Sequence, residues 1–143
     1  MDILNTFRIS GSALQAQSLR LNTISSNLAN VETTSTPEGG PYKKKSVYFQ
    51  STPLTFQEQL EGNLQGSVQG VQVSKITEDP TPPRKVYNPS HPDAGEDGYV
   101  EMPNISVLEE MVDMMSATRS YQANVTSIKM AKRMAMKALE IGR

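Results

Sequence analysis

Near the N-terminus, apolar positions recur every seven residues, at Phe7, Leu14, Leu21 and Leu28. A second row joins later, at Ile24 and Val31; its earlier positions are the polar Ser10 and Gln17. Rows at this spacing fall on one side of an α-helix, so the pattern predicts a helix up to about Val31 with an incomplete apolar seam. Gly11, Ala13 and Ala16 are small enough to let a neighbour come close. The remainder is Ser, Asn, Gln and Thr, and Arg8 and Arg20 are the only charges between Asp2 and Glu32. A solvated helix is normally rich in Lys and Glu. A face of small neutral polar residues suits burial in polar packing against other chains.

The C-terminal segment repeats the scheme. One row is Val107, Met114, Tyr121, Ile128 and Ala135; the other is Met111, Thr118, Val125, Lys132 and Leu139. Together they make a stripe with a period near that of a coiled coil. Ser106-Val107-Leu108-Glu109 reads as a capping box, in which serine and glutamate satisfy orphan N–H groups of the first turn. Glu109, Glu110 and Asp113 fall near the positive end of the helix dipole, and Lys129, Lys132, Arg133 and Lys137 towards its negative end. The pattern predicts a helix of about 35 residues, roughly 50 Å long. So long a helix is not covered by so short a chain alone.

All nine prolines lie from Pro37 to Pro103, which confines long helices to the two ends. Within that middle zone, Lys45–Gln50, Val71–Ile76 and Tyr99–Met102 carry the β-branched and aromatic residues of strands. Gly62, Gly66 and Gly70 and the cluster Pro80, Pro82, Pro83 punctuate it. The predicted fold is α+β and elongated. Long N- and C-terminal helices form an antiparallel coiled-coil-like pair, and a small loop-rich β subdomain lies between them. The divisions fall at residues 1–34, 35–103 and 104–143.

Composition sharpens this picture. Of 143 residues, 36% are hydrophobic and 6% aromatic, with no tryptophan. An ordinary single core is hard to fill from this, so part of the burial is expected to come from partners. A net charge of −1 gives no argument for nucleic acid or a membrane surface. The absence of cysteine excludes disulfides and thiolate chemistry. No apolar run is long enough to span a bilayer. Met1-Asp2-Ile3-Leu4-Asn5 has no basic segment before a hydrophobic one, so no cleavable secretory signal is expected.

Candidate chemistry is sparse. The single histidine, His91, sits in a proline-rich loop with no nucleophile beside it, and reads as a loop residue rather than a general base. Asp93-Ala94-Gly95-Glu96-Asp97-Gly98 hints at a calcium loop, but Gly95 and Asn104 stand where carboxylate ligands belong, so an acidic turn is the better reading. Lys43-Lys44-Lys45 reads as a solvated strand edge rather than a phosphate site. Six of the eight methionines lie in the last helix, where they read as adaptable packing surface. No catalytic, cofactor-binding or metal residue is assigned. The residues assigned to an assembly interface are Phe7, Leu14, Leu21, Ile24, Leu28, Val31, Val107, Met111, Met114, Tyr121, Val125, Ile128 and Leu139.

Ser12-Ala13-Leu14-Gln15-Ala16-Gln17, then Arg20-Leu21-Asn22, then Ser26-Asn27-Leu28-Ala29-Asn30-Val31 resemble the N-terminal motif of flagellar rod, hook and hook-associated proteins. Thr36–Tyr42, Glu78-Asp79-Pro80 through His91-Pro92-Asp93, and Met102-Pro103-Asn104 with Glu109-Glu110-Met111 and Arg119–Asn124 narrow the resemblance to the proximal part of the basal-body rod family. The resemblance implies a structural subunit that leaves the cytoplasm through the flagellar type III export gate and assembles helically into the periplasm-spanning rod. It implies paired terminal helices in an inner axial layer, mobile in the monomer and ordered on assembly. Implied partners are copies of the chain, other proximal and distal rod subunits, and the export-gate and MS-ring base. Two other readings predict different behaviour. A soluble coiled-coil adaptor or export chaperone would be a stable helical dimer in dilute solution. A small hydrolase or metal enzyme would depend on His91, Asp93 and Asp97.

Overall fold

The computed structural model describes residues 3–52 and 69–141. Helix α1 spans Ile3–Ala29 and α2 spans Val107–Ile141. Between them lie strands β1 (Lys45–Ser51), β2 (Val71–Glu78), β3 (Arg84–Tyr87) and β4 (Tyr99–Met102). Gly62 and Gly66 fall outside the described residues. The α+β class and the two terminal helices are as the sequence pattern predicts. Strand β3 is an addition: it follows Pro82-Pro83 directly, and proline is tolerated where a strand begins on an edge.

The strands form two separate antiparallel pairs. In the first, Lys45 is opposite Glu78 and Ser51 opposite Val71, with a register slip between Tyr48 and Phe49. In the second, Arg84 is opposite Met102 and Tyr87 opposite Tyr99, whose rings meet edge to face at 5.3 Å. Gly98 has φ of 72°, and a Cβ there would stand 2.9 Å from the Tyr87 ring. Only glycine fits that left-handed, crowded position.

Asn30 organises the end of α1. Its Nδ2 donates to the Ser26 carbonyl at 2.9 Å and its Oδ1 accepts the Thr33 hydroxyl at 3.1 Å. The Ser26 carbonyl also accepts the Asn30 backbone N–H at 3.1 Å, so the side chain doubles the last helical bond and ties it to Thr33. The start of α2 shows the serine half of the capping box: Ser106 Oγ accepts the Glu109 N–H at 3.4 Å, and its carbonyl accepts Glu110 N–H at 3.0 Å.

The two helices run antiparallel, since Asn27 meets Glu110 while Arg20 meets Asp113. Fully buried positions on α2 are Glu110, Ala117 and Ala131, seven or fourteen residues apart. The intramolecular seam therefore follows the row Glu110, Ala117, Asn124, Ala131, flanked by half-buried Met114, Ile128 and Ala135. The predicted second row turns outwards at Met111, Lys132 and Leu139. Small side chains let helix axes approach, so the alanine row takes the close contact and the bulky methionines are displaced from it.

Helix α1 has a second neighbour. The β1–β2 pair lies along it from Asn27, which bonds Lys45, to Ser12, whose Oγ accepts the Val71 N–H at 3.0 Å. Gly70 comes so near that a Cβ would sit 2.8 Å from Ser12 Oγ. Arg20 stacks over the Phe49 ring at 6.0 Å. Contact on two sides leaves no room for an unpaired charge on those sides, and the exposed side, at Gln15, Ser18, Asn22 and Ser25, is neutral as well. The hydroxyls are satisfied within the helix: Thr23 donates to the Leu19 carbonyl at 3.0 Å and Ser12 to that of Ile9 at 2.8 Å. Among the described residues no helix is long and apolar enough to cross a membrane.

Candidate assembly surface and the polar knot beside it

Where α1 ends, three segments meet on one side chain. Asn27 is 1% exposed. Its Nδ2 donates to the Lys45 carbonyl at 2.9 Å and to Glu110 Oε2 at 3.0 Å. Its Oδ1 accepts the Lys45 N–H at 2.9 Å and the Tyr42 hydroxyl at 3.1 Å. Two donors and two acceptors are thus all engaged, which is the full capacity of an amide. The knot joins α1, the entry to β1 and the first turn of α2, and so sets how the helix pair is staggered.

Glu110 is equally buried, and its second oxygen, Oε1, lies 2.8 Å from Lys44 Nζ. The hydrogen bond to Glu110 raises the Lys44 pKa above its ordinary value, and the charges of Glu110, Glu109 and Asp113 add to this while partial burial opposes it. A lysine pKa raised by folding stabilises the fold fully below the unfolded value of 10.5, and that stability is lost as pH rises through the higher folded value. Lys44→Met should therefore flatten the alkaline limb of the stability curve, measured by urea unfolding at several pH values above 10.5. Limbs of equal slope in the two proteins would show that the contact is not coupled to folding.

The residues assigned to assembly divide into two groups. Ile24 is buried, and Phe7, Leu14, Leu21, Leu28, Val31, Met114, Val125 and Ile128 are half-buried. Val107, Met111, Tyr121 and Leu139 are exposed. Leu108, Val112 and Met115 join Met111 in an uncovered stripe on α2, roughly opposite the Glu110 and Ala117 side at 3.6 residues per turn. A second uncovered region lies at the far end of α2. Following the antiparallel register back along α1 brings Ile3 level with about Ala131, the last buried residue of α2. The turns beyond it carry Met134, Met136, Leu139 and Ile141, all exposed, the last at 85%.

The sequence reading missed Asn27, Glu110, Tyr42 and Lys44 as a unit. Neither Asn27 nor Glu110 lies on the apolar rows of the sequence pattern, so nothing local marks the two as partners. The other candidate chemistry is local. His91 Nδ1 accepts the Asp93 N–H at 3.1 Å, and the Asp93 carboxylate accepts the Thr34 hydroxyl at 2.6 Å, fastening the loop to the segment after α1. Among the described residues no three His, Asp or Glu side chains converge as metal ligands do.

Terminal helices knotted together, with apolar surface left over on the outer side of one of them, are the form of a chain that packs against other chains. Residues 7–35 match the family profile described as flagella basal body rod protein, and residues 96–141 match the one described as flagellar basal body rod FlgEFG protein C-terminal. Full-length relatives agree. The chain is 47% identical over 150 residues to the flagellar basal-body rod protein FlgC of Bacillus subtilis, covering all of both chains. It is 45% identical over 142 residues to FlgC of Salmonella typhimurium, covering 99% of each, and 40% identical over 151 residues to FlgC of Borreliella burgdorferi, covering 99% and 98%. The chain belongs to the FlgC family of flagellar basal-body rod proteins, structural subunits of the rod. The relatives support that reading and not the one of a coiled-coil adaptor or export chaperone.

Proposed function

We propose that this chain acts without catalysis, as a subunit that assembles helically with copies of itself and with other proximal and distal rod subunits. In this reading it adjoins the export-gate and MS-ring base, passes the export gate without a cleavable signal, and transmits torque across the periplasm. Residues 1–34 and 104–143 form the axial core and residues 35–103 lie outside it. The observation that carries the reading is the surplus of apolar surface on α2, at Leu108, Met111, Val112 and Met115 and again at its C-terminal turns. Contiguous exposed apolar surface marks a contact made with other chains. Subunits joined by unlike surfaces propagate instead of closing, as a shaft requires.

The half-buried rows test it. Leu21→Asp and Val125→Asp each place a carboxylate where assembly would remove water, so each should abolish incorporation into basal bodies and hence motility. Soft-agar swimming and immunoblots of purified basal bodies read this out. Normal motility with either change would overturn the assignment of these rows to the assembled core.

A further inference from the structure

The chain has eight methionines and no cysteine, so thioether is its only sulfur. Among the described residues Met111, Met115, Met130, Met134 and Met136 are 51–62% exposed, all on α2, whereas Met102 and Met114 are half-buried. An exposed thioether is open to a peroxide. One oxygen passes to Sδ: the O–O bond breaks, an S–O bond forms, the sulfur loses two electrons and the peroxide leaves as water. The product, a sulfoxide, is polar and accepts hydrogen bonds without donating any. A methionine sulfoxide reductase reverses the step, oxidising two thiols to a disulfide and releasing the oxygen as water.

The exposed positions are not equivalent. On a helix surface the neighbours of a residue stand three and four positions away. Met115 has Arg119 there, Met130 has Arg133, Met134 has Lys137, and Met136 has Lys132 and Arg133. Each of these cations can donate to a sulfoxide oxygen. Met111 has Val107, Leu108, Met114 and Met115, whose side chains carry no donor. Beside it in sequence stand Val112 and Glu110, the latter an acceptor already engaged by Asn27 and Lys44.

We propose that Met111 is a reversible oxidation site that sets whether this chain is taken up into the rod. This rests on the rod reading, in which the Leu108–Met115 stripe is covered on assembly. As a thioether, Met111 is adaptable apolar surface and is covered without loss. As a sulfoxide, it puts a strong acceptor into that contact with no donor of its own chain one turn away, and a buried acceptor without a partner is unfavourable. The isolated chain is indifferent to the change, because Met111 faces outwards in it. Oxidation therefore acts on unassembled chain, leaves the fold intact, and is undone by the reductase.

The test uses full-length chain in a flagellated cell that lacks its own copy and lacks methionine sulfoxide reductase. A second rod subunit is withheld so that the chain accumulates unassembled, and expression of the chain is stopped. Peroxide is added and quenched, and the second subunit is then induced. Peptide mass spectrometry reads the sulfoxide fraction at each methionine in purified basal bodies and in the chain left outside them. At Met111 that fraction should be at least about tenfold lower inside basal bodies than outside, and at Met115, Met130, Met134 and Met136 the two should agree within about twofold. Inducing the reductase between quenching and assembly should restore uptake to the level of untreated cells. Equal fractions at Met111, depletion of equal size at all five positions, no sulfoxide at Met111 in the treated pool, or uptake that the reductase does not restore overturns the proposal and leaves the rod reading standing. Absence of the chain from basal bodies in untreated cells removes both.

Discussion

Asn27→Ala should cost the fold about 2–4 kcal/mol, the largest loss expected from any single truncation in α1. The substitution removes almost no apolar contact. Its effect lies in what it leaves behind: the Lys45 N–H and C=O lose their partners together, and Glu110 keeps only Lys44. Asn27 and Glu110 are each 1% exposed, and each buried group left unpaired costs about 1–3 kcal/mol. Asn27→Asp should be worse. It sets an acceptor where Nδ2 donates, facing the Lys45 carbonyl and the Glu110 carboxylate, and like charges at that separation repel. Urea unfolding followed by circular dichroism would rank the variants, with Asn22→Ala as the control. Asn22 is exposed on the same helix, and its replacement should move stability by no more than about 0.5 kcal/mol. If Asn27→Ala behaved like Asn22→Ala, the knot would have no part in holding the helix pair.

That knot shows where sequence reading reached its limit. The helix ends, the break between helical and proline-rich zones, and three of the four strands follow from local rules: proline placement, capping residues and β-branched clusters. The side of α2 that faces α1 does not. Period counting weighs Met111 and Leu139 above Ala117 and Ala131 because it scores hydrophobicity, whereas helices at close range select for small volume. The rotation of the seam is thus a packing result, decided between two chain segments separated by the whole middle of the protein. Lys44 is opaque for the same reason. Its local run, Lys43-Lys44-Lys45, reads as solvated charge, and only the approach of α2 supplies the buried carboxylate that makes the middle lysine different. The exposed stripe was half legible: the methionines were read as packing surface, but which of them pack within the chain and which outside it depends on that rotation.

Ala117→Leu should separate these two kinds of packing. Ala117 is fully buried, and the antiparallel register brings the buried Ala16 of α1 near its level. Three added carbons in a filled seam cost about 1–3 kcal/mol and force the helix axes apart. The damage extends beyond the local clash. Asn27 and Glu110 sit two turns away in the same seam, and a hydrogen bond of 3.0 Å weakens steeply when its partners are drawn apart by several tenths of an ångström. Ala117→Leu should therefore lower the urea midpoint of the isolated chain and, by altering the pair's geometry, reduce incorporation into basal bodies. Met111→Asp should show the opposite division. Met111 faces outwards, so the isolated chain should keep its midpoint, while a charge in the uncovered stripe should stop assembly. The discriminating measurement is the pair of readouts on both variants. An unchanged midpoint for Ala117→Leu would mean that the helices tolerate a wider spacing, and a lowered midpoint for Met111→Asp would mean that the outer stripe already supports the fold of the single chain. The expected crossing, one variant failing before assembly and the other only at it, is what a helix built with an inner alanine seam and an outer methionine face requires.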